Sequence, residues 1–461
     1  MRLSGQQNHI VILAALIGAV LLYIRFLADG FVLGTTTFDH PYIQFAAALM
    51  IGGLLSMVMI FALKTSTMTR RVLYGCFALG LLYRALFIGS VPIYEDDWNR
   101  YLWDGAVTAQ GINPYDYSPK DVIEGAESKN AEIRQLHKYS IETGQITRRI
   151  NYQELRTIYP PVAQASFTVA AFIKPLNLDA LRVVYLVVEA LTFFLLVKTL
   201  QAYGRDGKWA LLYALNPLLI YSGYNVAHMD LLLMPPMLLT MLWVKQGAPA
   251  KAAIALSVAS AVKLWPLLLA PIVFRAWRKQ PVIYISIAIA VAVMSVIFNL
   301  PLLLSIGEGS GLSAYTGEWQ RSSFIFPIIF SFFEPLSVAP GQLSRILVAL
   351  IVTLIALYYG FIAKVDNMKI PLAMMVTTGA LLFLSPTGYP WYLYWVLIFI
   401  PFVPSYGFAL LSGCVGLYYI RYAMGERGVY VWYENLVVPL QFGIPLLVIG
   451  YEVMKARRRA Q

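Results

Sequence analysis

Residues 64–97 read KTSTMTRRVLYGCFALGLLYRALFIGSVPIYEDD, and the order of three patches in that stretch decides the fold. A basic connector, Lys64 to Arg71, leads into an apolar run that ends near Ser90. Three carboxylates in succession, Glu95, Asp96 and Asp97, follow close behind. An apolar run of about 20 residues is what a helix needs to cross a bilayer. Lys and Arg collect in the short loops on the cytoplasmic side. The connector therefore belongs inside, and the acidic segment emerges on the outer face.

The same alternation continues in both directions. Of the 461 residues 59% are hydrophobic and 13% charged, against about 25% charged in a soluble domain. Apolar runs at 9–27 and 41–63 precede the quoted stretch. Others follow at 180–200, 209–223, 230–245, 281–300, 342–363, 369–386, 390–404, 407–423 and 436–454. The reading is an all-α polytopic membrane protein with about 12–14 transmembrane helices, by span length. Both termini lie in the cytoplasm and the membrane is the plasma (inner) membrane. The run from His9 to Phe26 has no small-residue cleavage site after it, so it is read as a retained helix.

The formal net charge of +11 does not point to nucleic acid. Its Lys and Arg cluster in connectors such as Arg275-Ala-Trp-Arg-Lys279 and Lys455 to Arg459, which is a topology signal. Cys76 and Cys414 both fall inside apolar segments, so neither a disulfide framework nor a Cys-based metal site is expected.

Two segments resist a simple span. Residues 160–175 are apolar but short, and are expected at the interface or as a dip into it. Residues 251–275 carry basic residues at both ends, which places both ends inside. Two short helices meeting near Lys263-Leu-Trp-Pro266 resolve this, because Pro breaks a helix. Non-helical backbone at membrane depth is tolerated only inside protein or beside a wet cavity, so Lys263 is expected at the outer side of a cavity. The chain is divided into an N-terminal hairpin (1–65), a module with a large extracytoplasmic loop at 91–178 (66–300), and a C-terminal module (301–461).

The loop carries the chemistry-bearing residues. Acids at a helix start can be no more than solvated N-terminal residues. Here Arg100, Tyr101, Trp103 and Asp104 follow within two turns, and Asp97, Arg100, Tyr101 and Asp104 share one helical face. A carboxylate beside an arginine is expected to stay ionised at neutral pH and could take a proton from a hydroxyl. His228 and Asp230 could be two metal ligands, but with no third in view a polar contact to sugar or phosphate, or plain packing, is preferred. Lys263 is an intramembrane cation and hence a functional candidate, its natural partner a lipid phosphate. The outer loop 301–341 carries Glu318 and Arg321; Arg321 is a second phosphate contact or a solvated residue. Trp391, Tyr392, Tyr394 and Trp395 read as an interfacial aromatic belt with a possible sugar-stacking role. Arg84, Glu189 and Glu434 lie in or near spans, where they are candidates for structural pairing, and are assigned no function.

Asp97-x-x-Arg-Tyr-x-Trp-Asp-Gly105, Gly111-Ile-Asn-Pro-Tyr115 and Thr157-Ile-Tyr-Pro-Pro161 resemble the GT-C membrane glycosyltransferases. The closest branch is the bacterial polyprenyl-phosphate-mannose-dependent mannosyltransferases. Leu215-Asn-Pro217, His228-Met-Asp230, Val262-Lys-Leu-Trp-Pro266 and Pro390-Trp-Tyr392 extend the likeness to about residue 395. The resemblance implies a loop acid as general base, Asp97 with Asp96 as its alternative. The candidate substrate contacts read from the residues are Glu95, Arg100, Tyr101, Asp104, Tyr159, His228, Asp230, Lys263, Arg321, Trp391 and Tyr392. In many GT-C enzymes the loop follows the first helix. Here it follows the third, and residues 1–65 are read as an added hairpin.

The implied reaction moves a mannose-like hexose from a polyprenyl-phosphate donor to a glycan or glycolipid hydroxyl at the outer face, with inversion. No cofactor, metal or nucleotide is called for: no phosphate-cradling glycine loop is present. A transporter or flippase of lipid-linked sugars would also use broken helices and a buried lysine. A glycan ligase or polymerase would share the outer-face chemistry.

Overall fold

The computed structural model describes residues 5–31, 40–317, 319–364 and 366–460. It is 75% helical with no strand among the described residues, and the protein is an all-α polytopic membrane protein. Among the described residues six helices are long and apolar enough to cross a bilayer: Gln7–Ala28, Tyr42–Thr65, Leu178–Ala202, Pro281–Leu304, Pro340–Ile362 and Tyr430–Arg459. A pair broken between Tyr224 and Met229 makes a seventh if it is one span. Other apolar runs are cut into shorter helices, among them Pro161–Ile173, Pro249–Ser260, Trp265–Trp277 and Ile370–Leu384. Pro390–Leu393 is a single 3-10 turn, and Tyr394–Leu397 adds only one α-turn. The helix Pro161–Ile173 has 13 residues; at 1.5 Å per residue it rises about 20 Å, short of a bilayer core of about 30 Å.

The chain folds into two compact units interleaved in sequence. The first comprises Met1–Tyr94, Glu189–Asn225 and Gln320–Gln461; the second comprises Glu95–Val188 and Val226–Trp319. In the first unit, helices Tyr42–Thr65 and Tyr406–Cys414 cross where Gly53 meets Gly413. A Cβ on Gly53 would lie 2.6 Å from the Gly413 Cα. Small residues at a crossing let two backbones approach, the packing that operates where lipid removes any hydrophobic drive between helices.

The second unit is held by three pairings. The loop helix Asp97–Ala109 crosses Pro161–Ile173 at Gly105, where a Cβ would sit 2.3 Å from the Phe167 carbonyl oxygen. Helices Met234–Lys245 and Pro249–Ser260 form a hairpin through the positive-φ Gly247. Pro249–Ser260 is tied to Pro281–Leu304 by Ser260 Oγ donating to Ser295 Oγ at 3.2 Å and Asn299 Nδ2 donating to Ser260 Oγ at 3.4 Å. The expected break beside Lys263 is present: the helix ends at Ser260 and a 3-10 turn starts at Trp265.

Candidate active site

The acidic triplet enters the loop helix through a sharp turn. Tyr94 sits at φ 57°, a region few non-glycine residues visit. The first helical turn is then locked by short-range bonds. Asn99 donates from its backbone N at 3.0 Å and its Nδ2 at 3.1 Å to the Asp96 carbonyl, and Trp98 Nε1 donates to the Glu95 carbonyl at 2.9 Å. Asp96 occupies the N-cap without a side-chain capping bond. Asp97 is the acid of the first helical turn.

The face shared by Arg100, Tyr101 and Asp104 points into protein. Tyr101 stacks on Phe167 with centroids 4.6 Å apart and an interplanar angle of 13°. Asp104 accepts a hydrogen bond from Gln164 Nε2 at 2.9 Å, and the same nitrogen donates to Thr157 Oγ1 at 3.1 Å. Arg100 donates through Nη2 to the carbonyls of Leu155 (3.0 Å) and Tyr152 (3.3 Å). The Tyr115 hydroxyl donates to the Tyr159 carbonyl at 2.6 Å. The loop motifs at 97–105, 111–115 and 157–161 thus brace one another, and Arg100, Tyr101 and Asp104 carry structure. Sequence reading missed Gln164, whose only signal is a glutamine on an otherwise apolar helix.

Asp97 behaves differently. A third of its side-chain surface (33%) is open, although it stands one turn from that buried face. Fully buried His228 approaches it, with Nδ1 3.8 Å from Asp97 Oδ2, beyond hydrogen-bonding distance. Tyr159 lends its carboxylate a hydrogen bond. Nearby, Lys263 Nζ donates to Asp230 Oδ1 at 2.7 Å, with Asp230 1% and Lys263 23% exposed. The helical hairpin brings this pair together, since it sets the start of Met234–Lys245 beside the end of Pro249–Ser260. Ala227, at φ 54°, turns His228 and Asp230 inward just before the first of these helices.

Asp97 is not held ionised by Arg100, as the sequence suggested. Burial raises its pKa from the ordinary 3.8 to about 7; the Asp96 carboxylate adds to the rise, Lys263 opposes it and Asp230 adds again. Arg100 is turned toward Asp104 and the 152–155 carbonyls, so the neighbouring acids outweigh it. Lys263 already has a protein partner in Asp230. Among the described residues no three His, Cys, Asp or Glu side chains gather as a metal site.

Arg321, Trp391 and Tyr392 belong to the first unit and are not among these residues. Arg321 is not a freely solvated loop residue: its backbone N donates to the Pro386 carbonyl at 2.9 Å, and its carbonyl accepts from Gly388 N at 2.8 Å. Trp391 and Tyr392 are 6% and 4% exposed. They do not form a lipid-facing belt; Tyr389 stacks on Trp391 at 4.5 Å and Tyr392 on Trp395 at 4.1 Å. Glu318 lies outside the described residues.

Residues 5–279 match the family described as alpha-(1->6)-mannopyranosyltransferase, N-terminal domain. The chain belongs to that family. Its members are GT-C mannosyltransferases, so this protein is a membrane-embedded glycosyltransferase that transfers mannosyl groups between sugar donor and acceptor substrates. The family match spans the acidic triplet, Tyr159, His228, Asp230 and Lys263, and stops short of Arg321 and Trp391. No curated protein and no solved structure matches the chain.

Proposed function

We propose that this mannosyltransferase takes mannose from a polyprenyl-phosphate donor and passes it, with inversion, to a glycan or glycolipid hydroxyl at the extracytoplasmic face, using Asp97 as general base. The observation that carries this reading is the placement of the Asp97 carboxyl, a third of its surface open, beside the Lys263–Asp230 pair; burial and the Asp96 carboxylate raise its pKa to about 7. A general base works best when its pKa lies near the operating pH. Asp97 accepts the acceptor hydroxyl proton, the freed oxygen bonds to the anomeric carbon, and the bond from that carbon to the phosphate oxygen breaks. The electron pair leaves on the lipid phosphate, where the ammonium of Lys263 stabilises it; Asp230 holds that ammonium in place, so no reorganisation is needed at the moment of transfer. An α-linked product formed by inversion requires a donor in which mannose is β-linked to phosphate.

The transporter alternative loses its best support, because the buried lysine is matched by Asp230 and the family is a transferase family.

The decisive assay incubates purified protein with a panel of polyprenyl-phosphate sugars and an α-linked mannoside. Release of lipid phosphate from the mannosyl donor alone is expected; turnover of a nucleotide sugar instead would overturn the donor assignment. For the face, cysteines at Lys129 and Gln246 are placed on exposed side chains and the native Cys76 and Cys414 are buried. An impermeant thiol reagent added to intact cells should label the first and spare the second.

A further inference from the structure

Outside the Asp97 constellation, the second unit carries an aromatic group that its packing does not explain. Tyr152 and Trp319 pack at a tilt, 4.6 Å and 32°, and Tyr315 meets Trp319 edge-on at 5.6 Å and 71°. Trp319 thus has a ring at each of these contacts, whereas Tyr152 keeps 44% of its surface exposed. Tyr152 also holds φ 50°, a left-handed conformation that strains a bulky residue. Its carbonyl is the one that Arg100 grips from the loop helix, three residues beyond Asp97.

The neighbouring chain is fastened equally firmly. Arg156 N donates to the Gly309 carbonyl at 2.8 Å, and its guanidinium donates to the carbonyls of Glu308 (2.8 Å) and Ser305 (3.1 Å). Gly311 N donates back to the Arg156 carbonyl at 3.2 Å. A Cβ on Gly311 would lie 2.6 Å from that oxygen, so only glycine allows the approach. Two loops far apart in sequence are clipped together beside the rings, and Arg100 links the clip to the helix that presents Asp97. An exposed ring in a strained backbone, tied twice to the catalytic helix and its surroundings, is built to present a flat face at a fixed place.

We propose that Tyr152, backed by Trp319, is a stacking platform for a sugar residue of the acceptor glycan. This deepens the reading above and rests on it. A pyranose offers an apolar C–H face to an aromatic ring and keeps its hydroxyls for water or polar groups. Tyr and Trp suit such a half-wet contact because each has an apolar body and a polar handle. A mannosyltransferase acting on a glycan must hold the penultimate sugars while the terminal hydroxyl reaches the base. The platform, tied by Arg100 to the helix that carries Asp97, would do that.

The test uses the intact protein in lipid nanodiscs and the variants Tyr152→Asn and Trp319→Phe. Asparagine tolerates the left-handed backbone, so the ring is removed without adding strain. The KM for a soluble α-linked manno-oligosaccharide should rise about fivefold to tenfold in Tyr152→Asn, in line with one lost ring contact, and less in Trp319→Phe. The KM for the donor lipid should not move. Direct binding of the oligosaccharide, followed by calorimetry without donor, should weaken by a similar factor. That readout survives even if the donor assignment fails, so the two ideas fall separately. Unchanged oligosaccharide affinity in both variants overturns the platform. So does a loss confined to nanodisc association, which would make the rings a membrane anchor.

Discussion

The first compact unit holds Arg84 against Glu189 at 3.0 Å, and the second holds Lys263 against Asp230 at 2.7 Å. Both are ion pairs in a chain that has half the usual share of charge. Arg84 and Glu189 are 1% and 0% exposed. The guanidinium also donates to the carbonyls of Gly80 (3.0 Å) and Ala214 (2.6 Å), and the carboxylate accepts from the hydroxyls of Tyr213 (3.4 Å) and Tyr224 (3.5 Å). Lys263 instead keeps 23% of its surface open, and the carboxyl beside the pair, Asp97, keeps 33%. The first pair is closed into a network that leaves only the Arg84 Nε without a partner; the second pair and its neighbour Asp97 keep part of their surface open. What separates a structural from a reactive buried charge here is the access left to its neighbours rather than the pair itself.

The sharpest way to break that comparison is at its open end. Asp97→Asn keeps shape and membrane insertion but cannot accept a proton, so kcat should fall about 10²- to 10⁴-fold, the range for a lost general base. Single-turnover mannosyl transfer measures it. Transfer at the wild-type rate in Asp97→Asn, in Asp96→Asn and in the double variant would remove the carboxylates from the mechanism.

At the closed end the damage should appear in stability instead. Arg84→Met strands the Glu189 carboxylate among tyrosines, and breaking one side of a buried pair costs about 3–5 kcal/mol. Thermal unfolding in detergent should drop steeply, while kcat per folded molecule stays near wild type. A kcat loss without a stability loss would mean that the Arg84 network reaches the reaction after all.

Lys263 lies between these cases. Lys263→Met alone strands Asp230, so its effect mixes folding with catalysis. Lys263→Met combined with Asp230→Asn removes both charges and should fold. The pair should still lose about a hundredfold in kcat, the low end for removal of one fixed stabiliser of developing charge. Wild-type kinetics in the double variant would make the second pair as structural as the first.

How much of this was legible beforehand follows from what hydropathy can register. The basic connector Lys64 to Arg71 and the apolar runs around it carry the membrane architecture. The Pro in Lys263-Leu-Trp-Pro266 locates a helix break to within a few residues. Asp97 stood out because three acids follow one apolar run. The partner of Lys263 was not legible. Asp230 and Lys263 are 33 residues apart, and no periodicity connects residues at such a separation; Arg84 and Glu189, candidates for pairing as charges within spans, do pair across 105 residues. Arg100 misled for the opposite reason: it shares a helix with Asp97, but its guanidinium is drawn to the carbonyls of Tyr152 and Leu155. Trp391 and Tyr392 read as a belt because composition at a span end cannot tell a lipid-facing ring from one buried against another aromatic.

The smallest expected effect is a shift rather than a loss, and it concerns Asp96. After burial, the Asp96 charge is the largest cause that raises Asp97 toward 7, whereas Lys263 works against the rise. A base must be unprotonated to act, so kcat/KM should climb with pH through about 7 in the wild type and then level off. Asp96→Asn removes a neighbouring negative charge, makes the Asp97 proton easier to lose, and should move that limb to lower pH with the plateau little changed. Stability carries a matching sign. The folded Asp97 binds its proton more tightly than the unfolded chain does, so its contribution to stability is present at low pH. It is lost as pH rises from the ordinary carboxylate range through about 7. Asp97→Asn should erase both the kinetic limb and this stability slope, and Asp96→Asn should shift both toward acid together. A limb that stays in place in Asp96→Asn while the plateau collapses would exchange the two roles, with Asp96 taking the proton and Asp97 setting its affinity.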